Sequence, residues 1–141
     1  MSRYDATQTN ESTRSSRIYK DLNLDFSYNT VTKDVNKLTD IEAVKRSVRN
    51  LINTNHYEKP FHPEIGSNLR AMLFENLTPQ MNHLISKQIE SLLRNYEPRV
   101  SVVQVNAQPS YDRNGYMATI SFYVLNHPEP VVVEKFLERL R

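Results

Sequence analysis

Apolar residues along the chain change their spacing several times, and each change marks an element. Leu22, Leu24 and Phe26 alternate with Asn23 and Asp25, the period-two pattern of a half-buried strand. Ser27 to Leu38 is polar and weakly patterned, a loop or a second short strand. From Thr39 the period becomes helical: Ile41, Val44, Val48, Leu51 and Ile52 share one face, while Lys45, Arg46 and Arg49 fall away from it. Thr39 stands three residues before Glu42, which predicts a reciprocal hydroxyl and carboxylate cap at the helix start, and Asn53 to Asn55 predicts its end.

Pro60 to Ser67 holds two prolines and Gly66, so the backbone is restricted and then released within a few residues, as a shaped loop requires. Ser67 is placed to cap a short helix carrying Leu69, Met72 and Leu73 and ending near Glu75, with Ile65 one turn earlier on the same side. Thr78-Pro79 starts the clearest element, because a proline at the first helical position loses no hydrogen bond. Met81, Leu84, Ile85, Ile89, Leu92, Leu93 and Tyr96 then form one stripe, which Pro98 stops.

Val100 to Val105 is rich in β-branched residues, and Tyr116 to Leu125 puts Tyr116, Ala118, Ile120, Phe122 and Val124 on one side. These two strands should form a hairpin joined by Asn106 to Gly115, where Asn114-Gly115 suits positive φ angles. Asn126 to Pro130 is a second turn. The consecutive valines from Val131 to Val133 favour a last strand, although Val133, Phe136, Leu137 and Leu140 also fit a helix. The elements describe an α+β fold: about three helices packed beside a small, mostly antiparallel sheet with a protruding β-hairpin.

Length and charge narrow what such a fold is for. The chain has 141 residues, enough for one core, and residues 1–20 read as a flexible polar tail ahead of a single domain over 21–141. Four of the 18 basic and two of the 16 acidic residues lie in that tail, leaving 14 of each sign in the body. A neutral body argues against nucleic acid as partner, for which Lys45, Arg46 and Arg49 are the only basic helix face. No apolar run approaches the ~20 residues of a membrane span, and the tail lacks a signal-peptide core. With no cysteine there is neither a disulfide framework nor a thiolate metal site.

Catalytic signals are weak. His56, His62, His83 and His127 have no helical i, i+4 partner, and two glycines 49 positions apart cannot build a phosphate loop. Glu64, Glu75, Glu90 and Glu97 are the acids from which a muramidase pair would be drawn, but sequence places no two of them together. The expectation is no cofactor, no metal and no catalytic residue.

Two stretches carry more than pattern: Pro60 to Pro79, with Pro63-Glu64-Ile65-Gly66 leading into Leu73-Phe74-Glu75, and Arg94 to Val100, with Glu97-Pro98-Arg99. Together they resemble the small baseplate wedge protein of contractile phage tails, a family with relatives in the type VI secretion baseplate and in extracellular contractile injection systems. Ile65 stands where many members have phenylalanine. The resemblance covers about Asp21 to the C-terminus and implies a structural protein of the virion tail baseplate, assembled in the host cytoplasm. It implies as partners other wedge proteins and the core bundle, the tail sheath protein and tail tube neighbours.

On this resemblance the strands holding Val100, Val102, Tyr116, Ala118, Ile120, Phe122, Val124, Val131 and Val133 template the sheath by accepting a foreign strand. Glu97, Pro98 and Arg99 hold the wedge and core bundle; read from the residues alone, they are a helix cap with an internal Glu-Arg pair. Pro63, Glu64, Ile65, Gly66, Leu73, Phe74 and Glu75 serve the fold. Gly66→Val should therefore destabilise the protein, whereas Arg99→Ala should spare its stability and abolish incorporation. Some family members carry a lysozyme label, which keeps muramidase as the enzymatic alternative.

Overall fold

A computed structural model describes residues 19–125 and 127–139, so most of the proposed tail, residues 1–18, and Leu140 lie outside the described residues. Two short antiparallel pairs open it. Strand β1 (Lys20–Leu22) pairs with β4 (Lys37–Thr39), and between them β2 (Tyr28–Asn29) pairs with β3 (Asp34–Val35). The expected strand from Leu22 to Phe26 ends at Leu22. Asn23 Oδ1 accepts from Asp25 N–H at 3.1 Å, Asn23 O accepts from Phe26 N–H at 3.0 Å, and Phe26 turns to a φ of 51°. The asparagine gives the backbone a local alternative to a ladder, and Leu22, Leu24 and Phe26 are all exposed.

Helix α1 (Asp40–Asn53) buries Ala43, Val44, Val48 and Ile52, with Ile41 and Leu51 half-buried beside them. Thr39 occupies the cap position but makes no side-chain cap bond, and Glu42 turns instead to Lys45 Nζ at 2.8 Å. The reciprocal cap is absent because Asp40 takes a φ of 50°, sending its N–H to Tyr19 O at 2.7 Å. Helix α2 (Leu69–Met72) is a single turn. Ser67 Oγ accepts from Leu69 N–H at 3.4 Å, and the backbone continues in i, i+3 bonds as far as Glu75.

Helix α3 (Pro79–Tyr96) starts as the sequence predicts, with Thr78 Oγ1 accepting from Met81 N–H at 3.3 Å. Its buried stripe is Ile85, Ile89, Leu92 and Leu93; Leu84, assigned to that stripe, is 50% exposed at its edge. Strands β5 (Val100–Ser110), β6 (Gly115–Val124) and β7 (Pro130–Glu138) form an antiparallel sheet in the order β5-β6-β7. The α+β architecture is the one expected. The hairpin connection, however, is only Tyr111 to Asn114, since β5 runs on past its β-branched residues to Ser110 and β6 begins at Gly115, and the last segment is a strand.

The core lies between one face of this sheet and helices α1 and α3. Ala107, Tyr116, Ala118, Ile120, Phe122, Val124, Val131, Val133 and Leu137 meet Val44, Val48, Ile85, Ile89 and Leu93 there. Gly115 is required where β7 crosses the hairpin corner: a Cβ on it would sit 2.4 Å from Leu137 O and 2.7 Å from the Phe136 ring.

Candidate functional site

Two features of this fold can engage partners: the open sides of the sheet and the end of α3. Strand β6 is central, paired along its length with β5 and with β7. Its residues Tyr116, Ala118, Ile120, Phe122 and Val124 have buried side chains and lie in a strand flanked on both sides by partners, so they cannot themselves accept a strand. Strand β7 extends the expected hairpin of β5 and β6 into a three-stranded meander, and the side chains of Val100, Val131 and Val133 also belong to the core, with Val102 packed against it. What remains available is the outer backbone of β5 and of β7.

These two edges differ. On β5, Val100 N–H is bonded to Glu97 O at 3.1 Å, and Ala107 N–H to Ser86 Oγ at 2.9 Å. Pro109, on the same side as Ala107, has no N–H, and a bulge interrupts the register between Val102 and Gln104. Bulges and prolines are how proteins blunt an edge. Strand β7 has no such interruption. Arg139 N–H donates to Asn114 O at 3.0 Å, and the alternation of an antiparallel ladder then turns the backbone groups of Val132, Glu134, Phe136 and Glu138 away from β6. Among the described residues no other part of the chain bonds to these groups.

The sequence reading missed these four. Their signal was the exposed half of the alternation in which Val131, Val133 and Leu137 are the buried half. Beside the C-terminal half of β7 runs a groove of about 230 Å³, closed on its far side by Ile52 and Asn53 of α1, Asn55, and Leu69, Arg70 and Leu73.

At the end of α3 the chain uses Glu97-Pro98-Arg99 internally. Glu97 is 3% exposed, and its carboxylate accepts from Arg99 Nε at 2.7 Å, from Arg99 Nη2 at 2.9 Å and from the Ser47 hydroxyl. Arg99 Nη1 donates to Asp21 Oδ2 at 3.2 Å, with the guanidinium 5.5 Å from the Tyr19 ring centroid. Burial raises the Glu97 pKa, but the hydrogen bonds from Arg99 and Ser47 and the Arg99 charge outweigh it, so the carboxyl stays below its usual range. The triplet is thus the internal pair that its residues alone suggested, and only Pro98 is exposed. The arginine holds β1 to the end of α3, so Arg99→Ala cannot spare stability.

Around Gly66 the loop behaves as its sequence predicts. Gly66 has a φ of 140°, and a Cβ there would meet Asn55 C at 2.5 Å and His56 N at 2.8 Å. Ser67 N–H donates to Thr54 O at 3.0 Å, and the Tyr96 hydroxyl donates to Glu64 O at 2.7 Å, fixing the loop to α1 and α3. Ile65 is half-buried and Leu73 buried; Pro63, Glu64, Phe74 and Glu75 are exposed, so they add nothing to the core. Tyr57 and Phe61 take positive φ and leave their rings almost fully in solvent.

The other candidates disperse. Glu90 pairs with Arg94 at 2.6 Å, and Glu64 contacts His62 at 3.1 Å. Glu64, like Glu97, is held below its usual range, first by its own backbone N–H and then by His62, the opposite of what a general acid needs. In the basic face of α1, Lys45 is engaged by Glu42 and Arg46 by Asp25. Among the described residues no group of three or more His, Cys, Asp or Glu could hold a metal, and no helix is long and apolar enough to cross a membrane.

Residues 39–128 match the family model for baseplate wedge protein gp25. Over 115 residues, 82% of this chain and 86% of the relative, the sequence is 34% identical to baseplate wedge protein gp25 of Enterobacteria phage T4. Among solved structures it is similar to a chain of the anti-feeding prophage baseplate, with a TM-score of 0.69 and 24% identity over 79% of this chain and 90% of that one. It is also similar to a putative tail lysozyme from Geobacter sulfurreducens, with a TM-score of 0.66 and 19% identity over 71% of this chain and 91% of that one. At these identities the likeness to solved structures concerns the fold alone.

Proposed function

The chain belongs to the baseplate wedge protein gp25 family, and from that premise we propose that it initiates the tail sheath, receiving a strand from a sheath subunit along the outer side of β7. It is a structural baseplate wedge component of a contractile tail system. Its partners in this reading are wedge proteins and the core bundle on one side and the first ring of sheath on the other, with the tail tube close by. Assembly takes place in the host cytoplasm, and the domain over residues 21–141 does no chemistry of its own.

The observation that carries the reading is the asymmetry between the two sheet edges. Strand β5 is blunted by a bulge, a proline and two donors already bonded within the chain, whereas β7 offers four residues with outward backbone groups in unbroken register. An edge of that kind gives an incoming strand directional pairing at every second residue, and soluble proteins ordinarily protect it. Wedge contacts then fall to Pro98 and to the exposed Tyr57 and Phe61, rigid aromatic side chains of the kind that anchor protein interfaces. The ion pair of Glu97 and Arg99 holds the backbone on either side of Pro98.

The deciding experiment is reconstitution of sheath on baseplates carrying Glu134→Pro, which removes one outward N–H at an exposed position. Such baseplates should incorporate the variant and fail to nucleate sheath. Normal sheath growth on them would overturn the assignment to β7.

A further inference from the structure

The groove beside β7 has a chemical character that an accepted strand must match, and this inference rests on the strand-acceptor reading above. On the helix side of β7, Leu137 and Lys135 are neighbours two residues apart, and both line the groove. Leu137, Leu69 and Leu73 form its nearly buried floor. Lys135 is half-buried, and Arg70 of α2 lines the same groove. Among the described residues neither cation makes an ion pair. Glu58, which feels the charge of Arg70, is already bonded to the Asn55 N–H at 2.9 Å and to its side-chain amide at 2.7 Å. Glu138 is the one acid lining the groove, leaving two cations against one anion.

We propose that this groove selects a strand bearing an apolar side chain opposite Leu137 and an acidic side chain opposite Lys135, two residues apart on the same face. Residues directly opposite across a ladder have their Cβ atoms within about 5.5 Å, and opposite charges there stabilise the pair while like charges oppose it. The apolar residue completes the floor over Leu69 and Leu73. The acidic residue enters between Lys135 and Arg70 and neutralises the excess positive charge. A basic residue at that position meets two cations, so the groove discriminates by repulsion as well as by attraction.

The test uses the full chain and three fluorescein-labelled nine-residue peptides of alternating threonine and valine, with Leu-Thr-Glu, Leu-Thr-Gln or Leu-Thr-Lys at the centre. Binding is read by anisotropy and by amide-exchange protection of Val132 to Glu138. The glutamate peptide should bind about five-fold more tightly than the glutamine one, with the lysine peptide weakest. Lys135→Glu should invert that order, and Lys135→Gln should narrow it, with thermal unfolding confirming that both variants fold. If all three peptides protect β7 equally, or the order survives Lys135→Glu, the charge selection is wrong and strand acceptance stands. If no peptide protects β7, the acceptor reading falls with it.

Discussion

Arg99 shows how a side chain's role depends on its partners. Its guanidinium satisfies both oxygens of a buried carboxylate and reaches across to Asp21, so truncation leaves Glu97 with only the Ser47 hydroxyl and the backbone N–H of residue 99. Removing one member of a buried pair costs more than the pair contributes, because the remaining charge is uncompensated. Arg99→Ala should therefore lower stability by on the order of 3 kcal/mol, measured by urea unfolding. The pH dependence has a definite sign. Because the folded pKa of Glu97 lies below its unfolded value of about 4.3, its contribution is complete above that pH and is lost as pH falls through the folded value. Glu97→Gln should flatten the acid limb of the stability profile below about pH 4.3. Gly66→Val meets backbone atoms of Asn55 and a φ that a β-branched residue does not adopt, and should cost on the order of 3 kcal/mol or more in the same assay.

At the scale of the element, β7 divides its residues by parity. Val133 faces the core and has its backbone bonded to β6, whereas Glu134 is exposed and its backbone faces outward. Proline is tolerated at the free side of an edge strand and not within a ladder. Val133→Pro should accordingly unfold the sheet, while Glu134→Pro should leave far-ultraviolet circular dichroism and melting temperature close to those of the parent. A Glu134→Pro protein that unfolds like Val133→Pro would show that the two sides of β7 are not distinct. Strand β5 gives the contrast: Ser86→Ala would strand the Ala107 N–H and should cost about 1 kcal/mol.

For the whole molecule, charge balance matters more than any single basic residue. With Lys45 and Arg46 engaged by Glu42 and Asp25, the basic face of α1 carries little unpaired charge to offer a phosphate. Anisotropy titrations with duplex DNA should show no salt-dependent binding at physiological ionic strength. The layering also sets what can contact partners. One sheet face is occupied by helices, so among the described residues the opposite sheet face, the strand edges and the loop from Tyr57 to Gly66 are surfaces open to partners.

Much of this was legible in the chain. The helical stripes of α1 and α3, the Thr78-Pro79 start, the Pro98 stop and the need for glycine at 66 all follow from spacing and backbone sterics, which act between near neighbours. The alternation at Leu22 to Phe26 misled because Asn23 could close a turn as readily as the residues could pair, and Leu22, Leu24 and Phe26 bury too little to decide it. What spacing could not decide was which strand lies in the middle and whose partner Arg99 would be. Strand order, the free edge of β7 and the Glu97-Arg99-Asp21 cluster depend on groups up to 78 residues apart meeting in space. A period-two pattern shows which face of a strand is buried but says nothing about which of its edges is left unpaired.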